Sequence, residues 1–236
     1  MNYSKQMNKH TTEKSKGMSQ HKVALIAGFG LLAMAIIAVF ANFGVIESLV
    51  VTGDAAATVN NLTNSKGLFA GGIAGFIMVF LLDLLVAWML FKFFRSLSKG
   101  LSAAMAGCRV IYAGFLGFSI TYLVTALTDL GAEGVKNDSI LESVSSFKDV
   151  WSAGYIFFGI HLILLAYLTI KSRYISKWIG VLLAIAGLGY LVDSVGGLII
   201  SSYNLEIGLY TFIGEVVFMF WLLFKGGKEK HLEVSP

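Results

Sequence analysis

The sequence predicts an all-α polytopic membrane protein, a bundle of six transmembrane helices with both termini in the cytoplasm. Three observations carry this expectation. Of 236 residues, 56% are hydrophobic and only 14% charged, against about 25% charged in an ordinary soluble domain; the mean hydropathy is +0.76. Six apolar runs approach or exceed the roughly 20 residues that a helix needs to cross a bilayer core. The basic residues alternate between the connections on the two sides.

In chain order the runs are 23–44, 67–91, 101–127, 150–170, 178–201 and 207–224. The first holds no charge, and the others hold one each: Asp83, Arg109, His161, Asp193 and Glu215. The only proline is Pro236, so no span carries a proline kink and only glycine is available to break one.

Orientation follows from the connections. One side carries Lys5, Lys9, Lys14, Lys16, Lys22, Lys92, Arg95, Lys99, Lys171, Arg173, Lys177, Lys225, Lys228 and Lys230. The other carries Lys66, Lys136 and Lys148. The positive-inside rule makes the first side cytoplasmic. Residues 1–21 read as a disordered basic tail, 22–226 as the transmembrane domain and 227–236 as a second cytoplasmic tail. The first apolar run is too long for a cleaved leader and reads as a retained anchor. Segment 128–149, with Asp129, Glu133, Asp138, Glu142 and Asp149, reads as an outer loop. In 53–58, Gly-Asp-Ala-Ala-Ala-Thr, Asp54 reads as the N-cap of a short outer helix of about two turns.

The ionisable residues inside the spans are the sharpest functional signal. By helical rise Asp83, Arg109, His161 and Glu215 lie about 16, 12, 15 and 15 Å from the cytoplasmic ends of their spans, and Asp193 about 24 Å. The first four therefore form a layer, with Asp193 and Tyr190 outside it. Helical spacing puts small residues on the same faces: Gly72 and Ala87 with Asp83, Ser102, Ala106 and Ala113 with Arg109, Ala186 and Gly189 with Asp193, Gly208 and Thr211 with Glu215. Small residues mark helix contacts in membranes, so the charges face the bundle interior. Exposed to lipid, each Asp or Arg would cost about 2.5–3.5 kcal/mol. Four such groups, with Glu taken like Asp, sum to roughly 10–14 kcal/mol, the size of a whole fold's stability. Internal pairing is close to forced. Asp83 with Arg109 is the leading pair because their spans form a short hairpin, which leaves Glu215 and His161 to pair or to bind a ligand.

Other chemistry finds little support. The lone Cys108 excludes an intrachain disulfide and a Cys-rich metal site, and reads as a small buried hydrophobe. His161 is the only histidine within a span, so no standard zinc set forms and no metal or cofactor is expected. Ser172 lies about 16 Å along the helix from His161, too far for a nucleophile–base pair. Neither a Gly-x-Ser-x-Gly nor a nucleotide loop occurs. The basic residues follow topology and do not point to nucleic acid.

The stretches GDAAAT (53–58), FFGIHLILLAYLTIKS (157–172), GVLLAIAGLGYLVDS (180–194) and WLLFKG (221–226), with the Asp83 helix, resemble the domain of unknown function 4386 family over roughly 22–226. The resemblance implies a bacterial inner-membrane protein of about six helices, and implies no activity. The chain departs from the family in having Lys171 where Arg is common and Ser176 where proline usually follows.

The leading functional reading is small-molecule or proton-coupled transport, or ligand sensing, at a polar site of Asp83, Arg109, His161 and Glu215. The runner-up is a membrane-embedded enzyme acting on a lipid or isoprenoid. The third is a structural membrane partner whose polar layer fixes helix register. The bilayer is the expected environment and a small molecule the expected ligand.

Overall fold

A computed structural model describes residues 18–200, 203 and 205–227. Lys5, Lys9, Lys14, Lys16, His10, Lys228, Lys230 and His231, and so most of the two tails, fall outside these residues.

Among the described residues all regular structure is helical. The order is α1 (Gln20–Val39), a π-helical segment (Phe40–Ile46), α2 (Glu47–Leu49), α3 (Ala55–Asn64), α4 (Lys66–Phe94), α5 (Lys99–Asp129), α6 (Asn137–Ala153), α7 (Tyr155–Lys171), α8 (Lys177–Ile199), α9 (Ile207–Thr211) and α10 (Ile213–Phe224). Six helical stretches are long and apolar enough to cross a membrane: Gln20–Leu49, Lys66–Phe94, Lys99–Asp129, Asn137–Lys171, Lys177–Ile199 and Ile207–Phe224. These correspond to the six predicted runs, and the chain is a multi-pass membrane protein.

The spans pack as a closed ring. Each touches its neighbour in the order α1, α4, α5, α7, α8, α10, and α10 returns to α1. His21 Nδ1 lies 2.8 Å from the Gly226 carbonyl oxygen, so the first span begins where the last one ends. Close approach depends on glycine where α7 crosses α8. A Cβ on Gly159 would stand 2.8 Å from the Gly187 carbonyl oxygen, and one on Gly187 2.8 Å from that of Gly159. This is small-residue packing, in which dispersion replaces the hydrophobic effect that lipid cannot supply.

Three of the spans are interrupted. The first passes into a seven-residue π segment whose Val45 packs over Gly72 of α4, a wider helical turn of the kind that often marks functional positions. The last is divided at Phe212 between α9 and α10. The fourth is divided at Gly154, between α6 and α7.

The end of the bundle that carries segments 50–66 and 128–154 corrects two expectations. Segment 128–149 is not a loop throughout: 137–153 forms α6. Its Ile140, Val144 and Phe147 fall on one face at helical spacing and are buried, against α3 and α5. α5 spans about 46 Å by helical rise, longer than a bilayer core of about 30 Å, so its C-terminal end supplies a wall for α6. The Asp54 helix, α3, runs for ten residues rather than about two turns. Asp54 Oδ1 accepts from the Ala57 N–H at 2.9 Å as expected of an N-cap. The Thr58 hydroxyl accepts from the Val51 N–H at 2.9 Å and donates back to its carbonyl at 3.2 Å, folding α3 onto the end of the first span. Gly53 takes the positive φ of 78° that this turn requires.

Candidate functional site

Arg109 stands about a third of the way along α5 with 2% of its side chain exposed. Its neighbours come from three other spans. Nη2 lies 2.7 Å from Oδ1 of Asp83 on α4, and both side chains are buried. The contact is an ion pair without hydrogen-bond alignment, and Asp83 Oδ2 has no partner either. Nη2 also donates to the Met34 sulfur of α1 at 3.6 Å. Nη1 donates to His161 Nε2 of α7 at 3.2 Å. The guanidinium carbon sits 5.4 Å from the Phe158 ring centroid, a cation–π distance.

His161 is fully buried and both ring nitrogens are engaged. Nδ1 lies 2.9 Å from the Met105 carbonyl oxygen, which can only accept. Nδ1 therefore carries the hydrogen and Nε2 accepts from Arg109. The residue left free by sequence reasoning is a relay between the α5 backbone and the guanidinium, and offers no spare lone pair for a catalytic base.

Glu215 does not pair with His161. Its Oε1 is sealed from solvent and lacks a hydrogen-bond partner. The groups around it are the Tyr190 hydroxyl of α8, Arg109 and Asp83. Tyr190 in turn approaches Tyr155, with ring centroids 5.4 Å apart, and Phe158 at 4.9 Å. Met34, Asp83, Arg109, His161, Tyr190 and Glu215 thus bring one side chain from each of the six spans to a single centre.

An aromatic column covers this centre on the side toward α6. Tyr112, one turn beyond Arg109, packs on Phe158 at 4.7 Å and Tyr155 at 6.1 Å. Its hydroxyl accepts from the Trp151 indole N–H at 3.0 Å, tying α6 to α5. Helical spacing puts Tyr112 on the face of Arg109. No sequence signal marked Trp151 or Met34, which join the site only through contacts between distant spans.

Asp193 belongs to a different structure, as its predicted place outside the layer implied. Oδ1 accepts from the Tyr203 hydroxyl at 2.6 Å and from the Ile207 N–H at 2.8 Å, and Oδ2 accepts from the Gly208 N–H. The carboxylate caps α9 from the neighbouring span, where the helix dipole favours a negative charge. The hydrogen bond to Asp193, ahead of burial, holds the Tyr203 hydroxyl neutral and pushes its pKa up to about 12.

Cys108 is partly exposed rather than buried, because it turns away from the face that carries Arg109. Two recesses lie off the centre. One is an outward-facing apolar groove between α4 and α5, lined by Leu84, Ala87, Trp88, Ala106 and Gly107 among others. The other, at the opposite end of the bundle from Asp193, is bordered by Ser172, Tyr174, Trp221 and Lys225.

The family model described as Domain of unknown function (DUF4386) matches residues 26–226. An uncharacterized protein of Archaeoglobus fulgidus is 38% identical over 164 residues, which cover 70% of this chain and 89% of the relative. That relative is archaeal. No solved structure matches the chain.

Proposed function

The chain belongs to the domain of unknown function 4386 family, and from its site we propose that it is a membrane carrier or sensor. In this reading a proton or small solute at the Asp83–Arg109–His161–Glu215 centre changes the packing of the six spans. The single observation behind it is that every span sends one side chain to this centre. A change of charge there acts on all of them at once, and packed interiors respond to such a change by moving between discrete arrangements. Ionisable groups inside a membrane are functional by default, since each is costly to keep.

Both termini lie in the cytoplasm and the membrane is a bacterial cytoplasmic one in this proposal. The described Lys92, Arg95, Lys99, Lys171, Arg173, Lys177 and Lys225 support it, because all sit at the ends that the positive-inside rule assigns inward. A reporter active only in the cytoplasm, fused after Pro236, is expected to be active.

The functional test uses purified full-length protein in two assays. Its melting temperature is followed across sodium, potassium, simple amines and carboxylates, and proteoliposomes with an internal pH dye are given a pH gradient. A shift with one solute class, or faster gradient decay than in protein-free vesicles, is expected. Failure of both overturns the reading in favour of a structural partner. That second reading rests on the Arg109–Asp83 ion pair and the Arg109–His161 hydrogen bond, which hold three spans together without a ligand.

A further inference from the structure

We propose that Glu215 is the residue of this site that takes up and releases one proton, while Asp83 remains the fixed counter-ion of Arg109. The proposal rests on the functional reading above and names its ionic species.

The charge count leads to it. The centre holds two carboxylates and one guanidinium, and His161 is held as a neutral ring by its two hydrogen bonds. Arg109 is turned to other partners: Nη2 faces Asp83 and Met34, Nη1 faces His161, and the buried Nε has no hydrogen-bond partner. Asp83 has its cation at 2.7 Å. No described Lys, Arg or His is close enough to form an ion pair with Glu215, and its Oε1 is sealed without a hydrogen-bond donor. A carboxylate in such surroundings is neutralised by a bound positive charge. A proton is the smallest such charge and needs no cavity beside the carboxylate. The step is simple in balance: an O–H bond forms at the carboxylate on uptake and breaks on release, and no other bond changes.

The groups that face Glu215 allow the proton to be exchanged. α8 presents the Tyr190 hydroxyl, α7 presents Tyr155, α5 Arg109 and α4 Asp83. α1, which packs on α10, has no titratable side chain among its described residues between Lys22 and its end at Val39. Toward the outer end, Gly208 sits between Tyr190 and Asp193: a Cβ there would stand 3.0 Å from Tyr190 Cδ1 and 3.1 Å from Asp193 Oδ2. Asp193 in turn holds the Tyr203 hydroxyl. Gly208 thus packs between the Tyr190 ring and the Asp193 carboxylate, and Tyr190 is the proton-carrying group of α8 that faces Glu215.

Infrared difference spectroscopy of the full-length protein in lipid nanodiscs tests the proposal through the carboxylic-acid C=O stretch, which reads protonation whether or not anything is transported. The expected result is a band that grows as pH falls, disappears in Glu215→Gln, persists at a shifted frequency in Glu215→Asp, and moves its midpoint in Tyr190→Phe. Size-exclusion profiles and melting curves check that each variant is folded, and Glu215→Asp carries the test if Glu215→Gln is not. A titrating band that survives in Glu215→Gln, or does not shift in Glu215→Asp, overturns the assignment. So does a band that follows sodium or potassium concentration at fixed pH, which would make the species an alkali cation. A band assigned to Glu215 without gradient decay or ligand shift would leave this proposal standing and remove the functional reading. Gradient decay without the band would do the reverse.

Discussion

Asp83 and Asp193 each lie in the middle span of their three-span half of the chain, and the structure uses them in opposite ways. Asp83 is fully buried and answers a guanidinium from the next helix. Asp193 is partly exposed and answers two backbone N–H groups and a phenol at the mouth of the last span. The difference is in what would be left behind without them. Removing Asp83 strands a cation in low dielectric, whereas removing Asp193 exposes amides that water near the bundle end can reach. The central carboxylate is therefore an electrostatic necessity and the outer one a local cap.

Breaking the central pair should have the largest effect. Arg109→Met leaves Asp83 buried without its cation and is expected to cost about 3–5 kcal/mol, read as a loss of unfolding free energy in detergent. Asp83→Asn should behave similarly, and the double variant should recover part of the loss. A double-mutant cycle that shows simple additivity would deny the pair its energy. The exchanged variant, with Arg at 83 and Asp at 109, should fold better than either single change to the opposite charge.

His161→Ala comes next, at about 1–3 kcal/mol, because it deprives the Met105 carbonyl and an Arg109 N–H of their partner in a buried site. If it costs as much as Arg109→Met, the histidine rather than the aspartate anchors the guanidinium.

Asp193→Ala should cost about 0.5–2 kcal/mol as a lost cap, with faster hydrogen exchange confined to the Ile207 and Gly208 amides. Exchange that spreads to α4 and α5 would mean that centre and mouth are one unit. Tyr203 gives the finest probe. Its hydroxyl is pushed up to about 12 from an ordinary value of 10.0, so its neutral form is favoured in the folded protein. Whatever stability this hydrogen bond gives is present below pH 10 and fades as pH rises toward about 12. The phenolate absorbance missing from Tyr203→Phe should titrate in that upper range, and in Asp193→Asn it should move back toward 10.

The spans were legible because uninterrupted apolar length is a property of a single segment. Pairing of Asp83 with Arg109 was legible because adjacent spans joined by residues 95–98 leave few other partners. α6 was missed because Asp138, Glu142, Lys148 and Asp149 mask a buried face of only Ile140, Val144 and Phe147, a pattern that becomes apolar only against α3 and α5. His161 was placed in the right layer with the wrong freedom. Its two hydrogen bonds are made to residues more than fifty positions away, one of them a backbone oxygen with no sequence signature. The cap made by Asp193 is invisible for the same reason, since amides look alike in every sequence.

The short turn between α4 and α5 also bears on how the protein enters its membrane. Asp83 and Arg109, each about 2.5–3.5 kcal/mol unfavourable when alone in hydrocarbon, emerge from the ribosome on consecutive helices that form one hairpin. They can neutralise each other while that hairpin is still leaving the insertion machinery, before the later spans exist. Glu215 arrives on the last helix, when the ring of the other five is ready to receive it. The order of synthesis thus delivers the charges of this bundle in the order in which they can be sheltered.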